Sequence, residues 1–399
     1  SSDLVNARAA ASKAVLEVKA QSPMLDARAA AAKGHTVLPV VKVQRGDAAT
    51  ALAKAPHQWR GQLEVGGQEH YYLETHIAYA IPQDHGEWLI YSSTQHPGEV
   101  QHWVAHALAI PMHAVRVVCR RMGGGFGGKE TQAGHLAVWA ALAARRTGRP
   151  VKMRLSREDD FLVSGKRHPF SHDYRIGFND QGLLLGLEST QWAHCGFSAD
   201  LSGPVADRAV FHTDNAYYLS DVQIESHRSQ LNTQSHTAFR GFGGPQGMMV
   251  IETVMGDIAR LLQLDPLEVR LRNLYGAAPR NTTPYGMTVE DNILPELMQQ
   301  LAQNCQYQTR RQAVADWNAA QGVIRKGLAL TPVKFGISFT ATQFNQAGAL
   351  VSVFTDGSVR INHGGTEMGQ GLHTKVCAIV AKVLGLAEAQ VRISSSRSE

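Results

Sequence analysis

Long apolar runs are missing from this 399-residue chain. None approaches the roughly 18 residues of a membrane span, and the N-terminus lacks a signal-peptide core. The expectation is a soluble, cytoplasmic protein with no membrane partner. Cysteine is scarce as well: Cys119, Cys195, Cys305 and Cys377 stand far apart, with no C-x-x-C pair. That spacing argues against zinc ribbons and iron-sulfur clusters within this chain and suits buried thiols in a reducing compartment. Charge of one sign is also in short supply. A net charge of +5, spread along the chain with basic clusters no longer than Arg120-Arg121 or Arg310-Arg311, gives a nucleic-acid role little support. His102 and His106 stand at i and i+4, but Trp103 occupies the position where a metalloprotease helix needs glutamate, so amphipathic packing is expected there.

Glycine, by contrast, is abundant, 37 residues in all, and it clusters. Arg121-Met122-Gly123-Gly124-Gly125-Phe126-Gly127-Gly128-Lys129-Glu130 lies between a β-rich run, Val115 to Cys119, and an alanine- and leucine-rich run from about Thr131 to Arg146. Strand, glycine loop, helix is the expected order. Amides beside a helix N-terminus favour anionic groups. Two familiar patterns match and both fail on inspection. Gly123-x-Gly125-x-x-Gly128 has no acidic strand end about 20 positions on, as a dinucleotide site requires. Gly123-x-x-x-x-Gly128-Lys129 places Glu130 where a P-loop needs a hydroxyl. A plain tight turn is the bland alternative.

The loop type recurs. Thr237-Ala238-Phe239-Arg240-Gly241-Phe242-Gly243-Gly244-Pro245-Gln246 precedes an expected helix to Leu262. His363-Gly364-Gly365-Thr366-Glu367-Met368-Gly369-Gln370-Gly371 follows an expected hairpin, Ala349 to Phe354 and Ser358 to Asn362, and opens a helix from Leu372 to Leu384. Gln95 sits between the strand Trp88 to Ser92 and a helix begun at Pro97. Further strands are expected at 61–82 (interrupted at 66–70), 151–155, 172–177, 183–191 and 222–229, and the alanine-rich runs Asn6 to Val18 and Leu25 to Lys33 suggest short helices. Many amides, one guanidinium at Arg240 and the carboxamides of Gln95 and Gln370 suit a large polar, phosphate-bearing cofactor.

These loops, together with Phe335-Gly336-Ile337-Ser338-Phe339-Thr340, resemble the molybdenum-binding region of the xanthine dehydrogenase family, in the family's order from about Ala55 to Ile393. The first residues are similar to the end of the family's hammerhead-type domain. The resemblance implies an α+β, multi-domain molybdopterin-binding fold, truncated: 1–54 as tail and linker, 55–300 as a first molybdopterin-binding domain, 301–399 as the start of a second. It implies hydroxylation of hypoxanthine and xanthine to urate with water. Gln95, Phe126 and Arg240 would stand beside the molybdenum, flanked by Gly125 and Gly127, while Met368, Gly369 and Gln370 would hold the pterin. Phe242 and Phe339 would sandwich the purine. Glu130, Arg208 and Thr340 would contact its polar edges, Arg208 also stabilising charge in the transition state.

The chemistry suits those residue types. A flat heteroaromatic ring between two aromatic faces gains about 0.5–1.5 kcal/mol per ring pair beyond burial, and an arginine aimed at a ring that becomes negative favours the transition state over the ground state. The bland readings are ordinary core for each phenylalanine and a structural ion pair for Arg208. One departure is large: the family's general base, a glutamate in a Gly-Glu-Pro-Pro segment, has no counterpart here, so an isolated chain is expected to be inactive. The resemblance places iron-sulfur clusters and FAD on other parts of the enzyme, carried by a small subunit or another domain, and implies an oligomer. Two alternatives stay open: a non-catalytic cofactor- or purine-binding module, and an aldehyde oxidase-type molybdenum hydroxylase.

Overall fold

The computed structural model describes residues 4–320, 322–339 and 341–398. Helix α1 (Leu4–Ala11) has no buried residue and stops well short of Val18. Alanine propensity alone sustains only a marginal helix in water, and no neighbour covers this one. Helix α2 (Ala27–Ala32) is held better: Asp26 caps it by accepting from the Ala29 amide at 2.7 Å, and Ala27 and Ala30 pack on Leu231.

Two strands follow, β1 (Thr36–Arg45) and β2 (His57–Val65), separated by α3 (Ala48–Lys54). The chain then leaves them to build another sheet. There β3 (Ile77–Pro82) and β4 (Trp88–Ser92) run antiparallel, and α4 (Pro97–Leu108) crosses over to β5 (Val115–Cys119), parallel to β4. Helix α5 (Ala133–Thr147) returns the chain to β6 (Val151–Arg154) on the far side of β3. Its buried face, Ala133, Gly134, Ala137, Ala140, Ala141 and Ala144, is nearly all small, which lets the helix lie close against the sheet and against Trp103.

After α6 (Arg157–Val163) the chain completes the first sheet with β7 (Phe170–Phe178), β8 (Leu184–Gly196), α7 (Ser202–Phe211) and β9 (Val222–Gln230). The strand order is β1-β9-β8-β7-β2, with only β8 and β9 parallel, joined through α7. Under it lies α8 (Gly244–Leu262), whose Val250, Ile251, Val254, Met255 and Ile258 repeat at helical spacing and pack on Ile176, Leu187 and Ile224. Helices α9 (Pro266–Asn273), α10 (Leu294–Asn304) and α11 (Tyr307–Ala320) extend this layer, and Met298, Tyr307 and Leu330 enter the same core.

The segments on either side of residues 54 and 300 are packed against common neighbours. β1 is hydrogen-bonded to β9, residue 300 lies inside α10, and the chain stays with the first core as far as Leu330.

The C-terminal body is small. β10 (Ala349–Val353) and β11 (Val359–His363) form the expected hairpin, α12 (Leu372–Leu384) crosses over, and β12 (Val391–Ile393) lies parallel to β11. The chain then crosses to the larger body as β13 (Ser396–Arg397), antiparallel to the edge of β5, where the Ser398 amide donates to Val117 O at 3.1 Å. The whole is an α+β structure, and no helix among the described residues is long and apolar enough to cross a membrane.

Candidate functional site

The first glycine loop leaves β5 and enters α5. Its shape is fixed from beneath by Gln95, whose Oε1 accepts from the amides of Gly127 at 2.9 Å and Lys129 at 3.3 Å, while its own amide donates to Lys129 O at 2.8 Å. A Cβ on Gly125 would lie 2.5 Å from that Oε1. Gln95 thus spends its oxygen on the loop, and its Nε2 has no protein partner among the described residues. Phe126 takes a positive φ of 55° and stays partly exposed.

Lys129, whose neighbours in sequence suggested a P-loop, is a strut. Fully buried, its Nζ donates to Glu74 O at 2.7 Å, Ser93 Oγ at 2.9 Å and Glu74 Oε2 at 3.3 Å, and lies 4.6 Å from the Tyr72 ring centre. Burial pushes its pKa down and the Glu74 carboxylate opposes that shift. Sequence reading did not single out this role, because Glu74 and Ser93 carry no motif.

The second loop docks directly on the first. The Arg240 amide donates to Phe126 O at 2.9 Å, and a Cβ on Gly127 (φ 100°) would lie 2.8 Å from the Ala238 carbonyl. Arg167 stacks on Phe239, its guanidinium carbon 4.0 Å from the ring centre, and donates to Arg240 O at 2.8 Å. Farther along, Phe242 (φ 49°) lies 5.6 Å from Phe339, ring centre to ring centre, at 51°. The rings are tilted, not stacked in parallel.

Arg208 belongs to this cluster, its Cζ 5.7 Å from the Phe242 ring centre. Both terminal nitrogens donate to backbone, to Gly336 O and Ser338 O, and Nε has no partner. Burial lowers its pKa. The guanidinium clamps the segment that carries Phe339. Thr340 lies outside the described residues.

Glu130 stands apart from Arg208, and among the described residues no ion pair joins them. Burial, with the nearby charge of Asp200, pushes the Glu130 carboxyl up to about 7. Asp200 is itself a hub, accepting from Thr131 Oγ1 at 2.9 Å, Gln132 Nε2 at 2.8 Å, Thr237 Oγ1 at 2.7 Å and the Leu201 amide at 2.7 Å. It ties the end of the first loop to the start of the second. Sequence reading missed it, since its partners lie 37 and 68 positions or more away.

The third loop folds largely on itself. Glu367 accepts through Oε1 from the Gly369 amide at 2.9 Å and the Gly371 amide at 3.1 Å, and through Oε2 from the His373 amide at 3.0 Å. Gln370 accepts from the Met368 amide at 2.7 Å and donates to Thr366 O at 2.9 Å. One backbone bond ties this loop to the first: the Met122 amide donates to Glu367 O at 2.9 Å. A Cβ on Gly369 would meet nothing within 4 Å. The three loops therefore meet around the first and offer small residues and open backbone at Gly369, while the amides of Gly369, Gly371 and His373 hold the Glu367 carboxylate in its charged form. Small residues and open backbone of this kind leave room for a large polar cofactor.

The comparisons agree with that fit. Residues 30–274 and 300–399 match two family models, each described as a molybdopterin cofactor-binding domain. The chain is 40% identical over 392 residues to xanthine dehydrogenase/oxidase of Gallus gallus, covering 98% of this chain and 29% of that protein. It is 42% identical over 359 residues to xanthine dehydrogenase/oxidase of Mus musculus, covering 90% of this chain and 27% of that one. The chain thus spans little more than a quarter of these relatives. Among solved structures, an aldehyde oxidoreductase from Desulfovibrio desulfuricans shares the fold with a TM-score of 0.83 at 22% identity, over 99% of this chain and 44% of the other. Quinoline 2-oxidoreductase from Pseudomonas putida 86 does so with a TM-score of 0.78 at 24% identity, over 91% and 48%. The chain belongs to the molybdopterin cofactor-binding domain family.

Proposed function

We propose that this chain is the cofactor- and purine-binding part of a xanthine dehydrogenase-type molybdenum hydroxylase that acts on hypoxanthine and xanthine. The observation that carries this reading is the Phe242–Phe339 ring pair with the Arg208 guanidinium beside it, next to a glycine loop on which two others converge. Relatives bearing the name xanthine dehydrogenase support it. When bound, the molybdenum centre supplies the two-electron redox chemistry of hydroxylation. Gln95, Gly125, Phe126, Gly127 and Arg240 would face it, and Met368, Gly369 and Gln370 would hold the pterin.

The protein's own part is binding and charge. To take the flat ring between them, Phe242 and Phe339 must both part from their 5.6 Å separation and turn from their tilt toward its faces. Glu130, close to half-protonated at neutral pH, can donate to a ring acceptor or accept from a ring N–H. Arg208 holds the Phe339 segment in place and sets a fixed positive charge beside a ring that becomes negative, an arrangement that favours the transition state. Thr340 would add a hydroxyl contact. Electrons would pass to iron-sulfur clusters and FAD on a partner domain or subunit of a cytoplasmic, oligomeric enzyme.

Two binding measurements on the purified chain test this reading. Reconstitution with extracted molybdopterin cofactor should give protein-bound molybdenum and pterin in equal amounts, and Gly127→Val should abolish both, because its side chain would strike Ala238. Calorimetry should then show hypoxanthine binding to the loaded chain, weakened about tenfold by Phe242→Ala. No retained pterin, or hypoxanthine binding indifferent to Phe242, would remove the proposal.

A further inference from the structure

A cavity of about 490 Å³ lies between α4, the first half of α5 and the turn from β8 into α7. It shares the Thr131–Gln132 wall with the glycine loop, but neither the rings of Phe242 and Phe339 nor Gln95, Glu130 or Arg208 line it. Its aromatic wall is built from Trp103, His135 and Trp139. His135 meets Trp103 edge-on, centres 5.1 Å apart at 81°, and Trp139 at 6.5 Å and 41°. Trp139 and Phe197, both lining it, are 48% and 59% exposed. Large aromatic side chains left open to water around a concave, mostly apolar space are the usual make-up of a small-molecule site.

The polar groups of the wall are mostly spent on one another. Glu99 accepts from Trp103 Nε1 at 2.8 Å, Ser198 and Ser235 share a hydrogen bond of 2.6 Å, and Thr131 and Gln132 donate to Asp200. Among the buried side chains of the wall, His76 is the exception. It is 2% exposed and lines the cavity, yet neither Nδ1 nor Nε2 has a partner, although its backbone amide donates to Asp160. Buried polar groups are seldom left this way, and each such case asks for a missing partner. Burial holds the ring neutral, with a pKa of about 4, so it presents one N–H and one lone pair.

We propose that this cavity is a second binding site, for a flat aromatic molecule carrying a single hydroxyl or N–H group. The ring packs against Trp103, His135 and Trp139, and the polar group bonds His76. One such group is enough, because among the described residues His76 is the one wall side chain that is both buried and without a hydrogen-bond partner. An anionic ligand is disfavoured by the carboxylates of Glu99 and Asp200, which line the same space. The site does not depend on the purine reading, since the two share no side chain.

The probe is 2-naphthol, with naphthalene as its hydroxyl-free counterpart, followed by calorimetry and tryptophan fluorescence on the whole chain. Wild type should bind 2-naphthol saturably at one site, and naphthalene about tenfold more weakly. Trp139→Arg and Phe197→Arg, both on exposed side chains, should each lower 2-naphthol affinity about tenfold with unchanged melting temperature. Absence of saturable binding, equal binding of the two probes, or equal binding by both variants would overturn the proposal. So would displacement of 2-naphthol by hypoxanthine, which would assign the probe to the Phe242–Phe339 rings instead.

Discussion

The larger body and the C-terminal body hold their glycine loops differently. In the larger one, loops one and two are locked to each other directly and through the half-buried Asp200, and loop one is pinned by the buried Lys129. In the smaller one, loop three is bonded mostly to itself, above a core whose fully buried members are Val359, Ile361, Ala381 and Val391, while Leu350, Val353 and Val383 remain largely exposed. The larger body is a fixed frame. The smaller one carries its share of the site as an appendage joined by β13, by Ser396 on Gly365 and by Met122 on Glu367.

Acid should separate the two bodies most. Burial holds His70, His76, His172 and His236, all in the larger body, at about 4. Unfolded histidine titrates near 6.5. Between these values the unfolded chain binds more protons, so stability is full above about 6.5 and is lost as pH falls toward 4. Glu130 acts in the opposite sense: raised to about 7, its contribution is greatest at acid pH and lost as pH rises through 7. Hydrogen exchange resolved by segment, from pH 7.5 to 4.5, should show the larger body weakening more than 349–393. Parallel loss in both would break the contrast.

Next in size is Gly247→Ala. Its Cβ would sit 2.0 Å from the Ala209 carbonyl, with no flexible side chain to yield. Forcing α8 away from α7 should cost about 3 kcal/mol, readable by urea denaturation. Arg208→Ala sharpens the comparison at the point where the segment leading to the smaller body is clamped. Loss of two charged bonds to Gly336 and Ser338 should weaken hypoxanthine binding by about 2 kcal/mol, roughly thirtyfold, with Arg208→Lys giving little rescue because a point ammonium cannot span both carbonyls. If calorimetry finds Lys equal to Arg, the clamp is not the reason Arg208 matters. The smallest effect is expected for Gly369→Ala. Nothing lies within 4 Å, so only the positive φ of 104° opposes the methyl group, about 1 kcal/mol in a thermal melt.

Local elements were legible in the sequence because their signals are local. Pro97 opens α4, Gly148 ends α5 and Asp356-Gly357 turns the hairpin, each where residue chemistry puts it. The loops were legible as loops, and their resemblance brought Arg208, Phe242 and Phe339 to one place before any coordinates did. The hub carboxylate and the strut lysine were not legible. Asp200 and Lys129 matter through partners dozens of residues away, which only the tertiary fold brings to them. The pairing of β1 with β9 was hidden for the same reason. The tilt between Phe242 and Phe339, and the bonding of the Arg208 guanidinium to backbone, are likewise products of packing.

The short ladder between β13 and β5 sets an order of events during synthesis. The Val117 amide bonds Ser398 Oγ, 281 residues farther on. While a ribosome makes everything between them, the outer edge of β5 stands without a partner, presenting bare N–H and C=O groups to any passing strand. Contacts this distant in sequence close late and slowly. Until they close, a nascent chain that is otherwise folded keeps one adhesive edge, and crowding by other nascent chains is the hazard that edge creates.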